Sequence, residues 1–333
     1  MKRLFRPREK STLAARVFDS VTEAAGFPRD KDGYIQWPQD DAALPWFDRA
    51  DAMDTLQRWH QRGEVSDAAF EYLRQWIVEG FFIVPGLIDH QRTRAFREEI
   101  DAIWEREEAY DGLLVSDVTC GGTTHVHMPH AQVLALPEQK RLEARRVSHW
   151  RIGGLHLYAK AAKAIFEDEQ ARLLSELVFR TTAIPRYSLA FHKGSQQQLH
   201  QDTPVFHVYP RNHLIGVWIA CEDIQPDAGP LVYCPGSHRE PLFPEFDNYP
   251  QTNRRTCDDA VSQRYDQYVT RLADHYRQTL FLPREGDALF WHGQLIHGGM
   301  AIEDPDTTRY SFVVHYMAQG TDVGAAVQGP VNW

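Results

Sequence analysis

Cysteine is scarce and unpatterned. Cys120, Cys221, Cys234 and Cys257 show no CxxC spacing, so a thiolate zinc finger or CxxC redox motif is excluded. Reduced thiols in a cytoplasmic protein are expected instead. Long apolar runs are missing: no segment reaches the roughly 18 apolar residues that span a bilayer, so no membrane partner is expected. The opening MKRLFRPREK lacks the apolar stretch of a secretory signal. It is basic and runs into Ser11 and Thr12, a weak likeness to a transit peptide, but Glu9, Asp19 and Glu23 count against that. There is no basic stripe, no block of like charge, no internal repeat and no low-complexity run. With a net charge of −10, nucleic acid is disfavoured, because phosphate binding needs clustered Lys and Arg.

Aromatics, by contrast, are plentiful: 9 Trp, 13 Tyr and 17 Phe. With 21 Gly and 19 Pro spread along 333 residues that are 43% hydrophobic, they describe a loop-rich globular enzyme with a full-size core. Residues 1–65 read as an extension wrapped around the main domain. A short helix is expected over 17–25 and an irregular segment over 26–46, with Trp37, Trp46 and Phe47 marking surfaces that pack. The main domain runs over 66–320, followed by a tail at 321–333. Ser66 to Glu79 predicts a helix capped by Ser66 and ended by Gly80, followed by a buried strand at Phe81–Val84. Asp89–Glu107 and Leu155–Phe179 also read as helical. The 110–155 stretch, with His125, His127 and His130, reads as a polar loop or lid. An independent site built on its HxH is the alternative, but no fourth ligand is apparent.

From Tyr187 onward short strands dominate, at Tyr187–Lys193, Leu199–Phe206, Leu214–Cys221, Gly229–Cys234, Ala288–Trp291, Leu295–Met300 and Tyr310–Tyr316. A helical insertion over 258–278 interrupts them. Many short strands with Gly/Pro turns predict a closed or double-sheet antiparallel fold.

The chemistry sits in that half. In an extended strand, residues i and i+2 share a face, so His200 and Asp202 of LHQDT present an imidazole and a carboxylate together. An apolar strand, GDALFWH, leads to His297 in IHGG, a second imidazole; the glycines after it would let backbone pass close to a ligand. His292 is the competitor. Two histidines and one carboxylate hold non-haem Fe(II) on one face and leave positions open. Arg309 and Ser311 share a strand face, and a guanidinium fork with a hydroxyl is a receptor for a carboxylate. Gly216, Trp218 and Ala220 share another face, where two small residues beside an indole leave room for a planar ligand. Together these features point to a metal that chelates a 2-oxo acid, with dioxygen as the third reactant.

The motifs GSQQQLHQD, GPLVYCPGSH and GDALFWHGQLIHGG, in this order, resemble the phytanoyl-CoA dioxygenase family of Fe(II)/2-oxoglutarate oxygenases over roughly residues 70–318. The resemblance implies a double-stranded β-helix, a jelly roll buttressed by helices. It implies that His200, Asp202 and His297 bind iron, that Arg309 anchors 2-oxoglutarate, and that Trp218 and Gln197 lie near the oxo acid. A carboxylate at Asp202, where related halogenases carry a small residue, favours hydroxylation, desaturation or another oxygen-derived outcome. Residues 1–65 and 258–278 have no counterpart in the resemblance. His238 is read as holding a tight turn.

The function expected is hydroxylation of an unactivated C–H bond of a small molecule, with release of succinate and carbon dioxide. A non-catalytic jelly-roll binding protein and a zinc-dependent hydrolase are the alternatives. Trp150, Phe206, Tyr209 and Tyr233 would suit an apolar substrate, and Arg151, Lys193 and Arg211 an anionic one.

Overall fold

The computed structural model describes residues 44–323, apart from 207, 247, 248, 250, 251 and 255. The helix expected over 17–25, most of the irregular segment over 26–46, and the tail from 324 lie outside the described residues. Aromatics anchor the beginning of the described chain. Trp46 and Phe47 are buried on a 3-10 turn, and the Trp46 indole donates to the Val178 carbonyl at 2.7 Å. Helix α1 (Ala52–Gln61) comes next, an element the sequence did not announce.

Helix α2 (Asp67–Glu79) begins and ends on its caps. The Ser66 hydroxyl accepts from the Ala69 N–H at 3.3 Å, and Gly80 closes it at φ 80°, where a Cβ is disfavoured. Strand β1 (Phe81–Val84) follows, then α3 (His90–Ala102), capped by Asp89 and shorter than expected.

The 110–155 stretch is not a loop. It holds a hairpin of β2 (Leu114–Cys120) and β3 (Thr123–Pro129), then α4 (His130–Leu134), α5 (Glu138–Val147) and β4 (Arg151–Gly153). Val115, Val118 and Met128 are buried and supply the apolar face. The three histidines have different surroundings within it. His127 pairs across the hairpin with the Ser116 hydroxyl at 3.0 Å, His130 is buried with its Nε2 donating to the Ile103 carbonyl at 2.7 Å, and His125 is exposed. The helix expected over 155–179 is split into α6 (Lys160–Phe166) and α7 (Glu169–Phe179). Asp168 makes the break by accepting from the Ala171 N–H at 2.8 Å, a side-chain cap that starts a new helix.

Beyond it come β5 (Ala183–Phe191), α8 (Thr203–Phe206), β6 (Val208–Tyr209), β7 (Leu214–Ala220), β8 (Leu231–Tyr233), α9 (Asp259–Ala273), β9 (Thr279–Phe281), β10 (Ala288–His292), β11 (His297–Gly299), β12 (Ser311–Ala318) and β13 (Asp322–Val323). One sheet has eight strands in the order β1-β10-β7-β12-β5-β4-β2-β3, a second has three in the order β11-β8-β9, and every pair is antiparallel. Side chains divide by parity. Ile215, Val217, Ile219, Phe312, Val314, Ala288 and Phe290 face the helical layer, while Trp218, Ala220, Val313, Met317, Leu289 and Trp291 fill the space between the sheets with Leu231, Tyr233 and Phe281. This is the helix-buttressed jelly roll.

The insertion helix α9 packs through Tyr265, Val269 and Ala273 onto Cys234, Phe243, Phe246 and Ile296. The strand expected over Leu199–Phe206 does not form: only His200 bridges to another segment, and the chain then turns into α8.

Two buried histidines outside the site carry a pH consequence. Burial pushes His192, stacked on Trp150 at 5.1 Å, down to about 4, and His238, pressed against Gly80, down to about 3. An unfolded histidine titrates near 6.5. Below that pH the unfolded chain therefore binds protons that the folded chain cannot. Each histidine should remove roughly 1–2 kcal/mol of stability by pH 5. The thermal midpoint of the metal-free protein is expected to fall from pH 7 to pH 5, and a flat or rising midpoint over that interval would contradict the assignment.

Candidate metal centre

His200 and His297 are joined through their backbones. The His200 N–H donates to the His297 carbonyl at 2.9 Å and the His297 N–H donates back at 3.0 Å. This reciprocal pair sets the two imidazoles side by side, with ring centroids 4.4 Å apart. Each ring then donates its Nδ1–H to a carbonyl two residues upstream, His200 to Gln198 at 2.8 Å and His297 to Leu295 at 2.9 Å. A carbonyl can only accept, so Nδ1 carries the proton and Nε2 presents its lone pair. Burial, reinforced by the neighbouring His297, pushes His200 down to about 4, so it is a neutral ligand at pH 7.

Asp202 Oδ1 lies 3.7 Å from His200 Nε2 and 3.8 Å from His297 Nε2. These separations are too long for hydrogen bonds. They suit donors sharing one ion, since two ligands each bonded at about 2.1 Å sit roughly 3–4 Å apart. Burial alone would raise the Asp202 carboxyl, but the facing imidazoles of His297, His315 and His200 outweigh it and hold it well below the usual carboxylate range. Among the described residues, these three are the only cluster with ligand atoms this close, all within 4.8 Å of one another. Two imidazole nitrogens and one carboxylate oxygen on one side fit a ferrous ion with open positions opposite.

The extended strand expected to set His200 and Asp202 side by side is corrected by the structure. The Asp202 carbonyl accepts from the N–H groups of Val205 and Phe206, both at 2.9 Å, so the carboxylate projects from the start of a helical turn. Helix α9 backs this segment: the Gln201 N–H donates to the Tyr265 hydroxyl at 3.2 Å. His292 faces the opposite way, with Phe47 and Trp76 against its ring and Asp48 3.3 Å from its Nε2. Strand parity explains this, since His292 shares the helix-facing side of β10 with Ala288 and Phe290.

Beside the triad lies a cavity walled by Leu189, Phe191, Trp218, Leu231 and Val313, with Ser195 and Gln197 also lining it and Arg309 on its wall. Arg309 is 2% exposed. It donates once, from Nη1 to the Gly229 carbonyl at 3.1 Å, and its Nε has no partner. No acid pairs with it among the described residues, and burial pushes the guanidinium down to about 10. Its carbon lies 5.5 Å from the Phe191 ring and 5.7 Å from the Trp218 ring. A cation this deep with no counter-charge is costly until an anion joins it. The Ser311 hydroxyl is buried without a partner two residues on, but Ser311 does not itself line the cavity.

The glycines do different work from that expected. A Cβ on Gly216 would lie 2.1 Å from the Trp291 indole, so the space belongs to Trp291 and not to a ligand. A Cβ on Gly298 would meet the Gln197 carbonyl at 2.9 Å, and one on Gly299 the Gln196 nitrogen at 2.9 Å. Both admit the 196–198 backbone beside the ligand strand.

Of the residues assigned to a substrate mouth, Trp150 lies in the helix-side core and Lys193 donates to the carbonyls of Arg146 and Pro305. Two site residues escaped the sequence reading. The Trp291 indole donates to Asp202 Oδ2 at 2.8 Å, and His315 Nε2 lies 3.3 Å from the same oxygen. Parity could have found both: His315 shares its face of β12 with Val313, and Trp291 lies opposite in parity to His292.

Comparison with known proteins agrees with this architecture. Phytanoyl-CoA dioxygenase, peroxisomal, of Bos taurus is 24% identical over 249 residues, 73% of this chain, and the match spans 66% of that protein, just under two thirds of its length. The epimerase SnoN, solved in complex with Fe3+, alpha ketoglutarate and nogalamycin RO, superposes with a TM-score of 0.54 at 16% identity, covering 77% of this chain and 86% of its own. The non-heme alpha ketoglutarate dependent carbocyclase SnoK gives 0.55 at 15%, covering 80% and 92%. At such identities the two structures speak for the fold alone. The family model described as phytanoyl-CoA dioxygenase (PhyH) matches residues 77–309, from the end of α2 through Arg309, and the chain belongs to that family.

Proposed function

We propose that this chain is an Fe(II)- and 2-oxoglutarate-dependent oxygenase that hydroxylates a C–H bond of a small molecule, releasing succinate and carbon dioxide. The observation that carries this reading is one cavity holding both an ion-sized gap ringed by His200, Asp202 and His297 and a buried guanidinium with no acid beside it. A metal site alone would fit a hydrolase or a binding protein. The added unmatched cation calls for a second, anionic reactant in the same space.

His200 Nε2, Asp202 Oδ1 and His297 Nε2 hold the iron. Bound iron supplies dioxygen activation coupled to oxidative decarboxylation of the oxo acid. Arg309 takes the far carboxylate of 2-oxoglutarate in its fork, with the Ser311 hydroxyl as the candidate second donor. Trp218, Phe191, Leu189, Leu231 and Val313 form a dry wall along the carbon chain, which keeps water away from the reacting atoms. Gln197 lies at the cavity edge as a further contact. SnoN and SnoK bear the names epimerase and carbocyclase, so the fold itself is compatible with outcomes other than hydroxylation. Four unpaired cysteines suit a reducing compartment such as the cytoplasm. Among the described residues no helix is long and apolar enough to cross a membrane.

Substituting Asp202→Ala should abolish Fe(II)-dependent succinate release. Persistence of that release at the wild-type rate would reject the assignment. Arg309→Met gives a sharper expectation. Removing a buried, uncompensated charge should leave the thermal midpoint of the empty protein unchanged or raised, while the KM for 2-oxoglutarate rises by roughly 10²-fold, as for loss of a charge-assisted pair. Steady-state kinetics and thermal melts with and without 2-oxoglutarate check both halves.

A further inference from the structure

The two oxygens of Asp202 face different surroundings. Oδ1 looks toward His200 and His297, whereas Oδ2 lies 2.8 Å from Trp291 Nε1 and 3.3 Å from His315 Nε2. Neither donor belongs to a segment that carries a ligand. Trp291 is on β10 and His315 on β12, and β7 runs between them, with Gly216 in register with both. A Cβ at Gly216 would collide with the Trp291 ring, 2.1 Å from one carbon and 2.2 Å from the next. A position without a side chain therefore lets the indole lie across the sheet and deliver its N–H to the carboxylate. The imidazole of His315 is held as well, with the Phe206 ring 4.2 Å away and the Trp291 ring 5.9 Å away.

The geometry points to Trp291 and His315 as positioning residues that occupy Oδ2, so that Asp202 offers a metal ion one oxygen only. This rests on the triad being an iron site. An indole can only donate, so Trp291 fixes Oδ2 as an acceptor already in use. A carboxylate free to turn could bind through both oxygens and fill a position that the oxo acid or dioxygen needs. The clamp keeps Asp202 pointed at the gap and keeps that position open.

The test is anaerobic Fe(II) titration of the full chain by calorimetry, followed by the visible absorption of the Fe(II) complex with 2-oxoglutarate. Trp291→Phe and His315→Leu should each weaken Fe(II) binding by about 10- to 100-fold, as for loss of an outer hydrogen bond to a metal ligand, and should shift the visible band. His315→Gln, which keeps an N–H donor, should recover affinity to within about threefold; a merely packing role for the ring would not be rescued this way. Affinities within about twofold of wild type and an unshifted band in both Trp291→Phe and His315→Leu overturn the inference. If Trp291→Phe fails to fold, the His315→Leu and His315→Gln pair decides it. Absence of Fe(II) binding by the wild type would overturn the iron reading itself, an outcome distinct from normal binding by every variant.

Discussion

Two backbone hydrogen bonds between His200 and His297 are the constraint on which the site depends. They join a segment that leaves the sheet after β5 to the short strand β11, and they place two imidazoles within ring-contact distance. The carbonyls of Gln198 and Leu295 then orient each ring, so both free lone pairs converge. The glycines at 298 and 299 are part of the same construction, because side chains there would collide with the 196–198 backbone and push the two segments apart. Ligand geometry is thus set by main-chain pairing, which is stiffer than any single side-chain contact.

The eight-stranded sheet supplies the rest through alternation. One parity of β7, β10 and β12 is spent on the helical layer and the other faces the second sheet. That division sends His292 toward Asp48 and Trp76, where it fastens the 46–48 turn to the sheet. It sends Trp291, Trp218 and His315 inward. Asn212 Nδ2 also donates to Asp48, at 2.7 Å. Burial pulls the Asp48 carboxyl upward, but the imidazole of His292 beside it and the amide of Asn212 keep it below its ordinary value. Neighbouring histidines in one strand–turn segment therefore face opposite ways, one fastening the 46–48 turn and one into the candidate metal centre.

Charge is distributed unevenly within the interior. Asp202 is surrounded by nitrogen donors, whereas Arg309 is surrounded by aromatic rings and one carbonyl. The carboxylate is satisfied before any ligand arrives. The guanidinium is not, and an unmatched buried charge of this kind favours an anion in the cavity over a neutral molecule.

The sequence by itself determined which three side chains are candidate donors, the capped helix at 67–79, most of the strands from β5 onward and their two-faced alternation, because these follow from local periodicity and residue chemistry. It also carried the family through three ordered motifs. Tertiary structure decided what local rules cannot. The HQD segment turns into a helix instead of continuing as a strand because its backbone partner is a single residue of β11. The 110–155 stretch became sheet because β4 gave its hairpin an edge to pair with. Gly216 was needed by an indole two strands from His315, and α9 backs the ligand segment. Each of these depends on which distant segment lies alongside, and that is settled only when the two sheets close on one another.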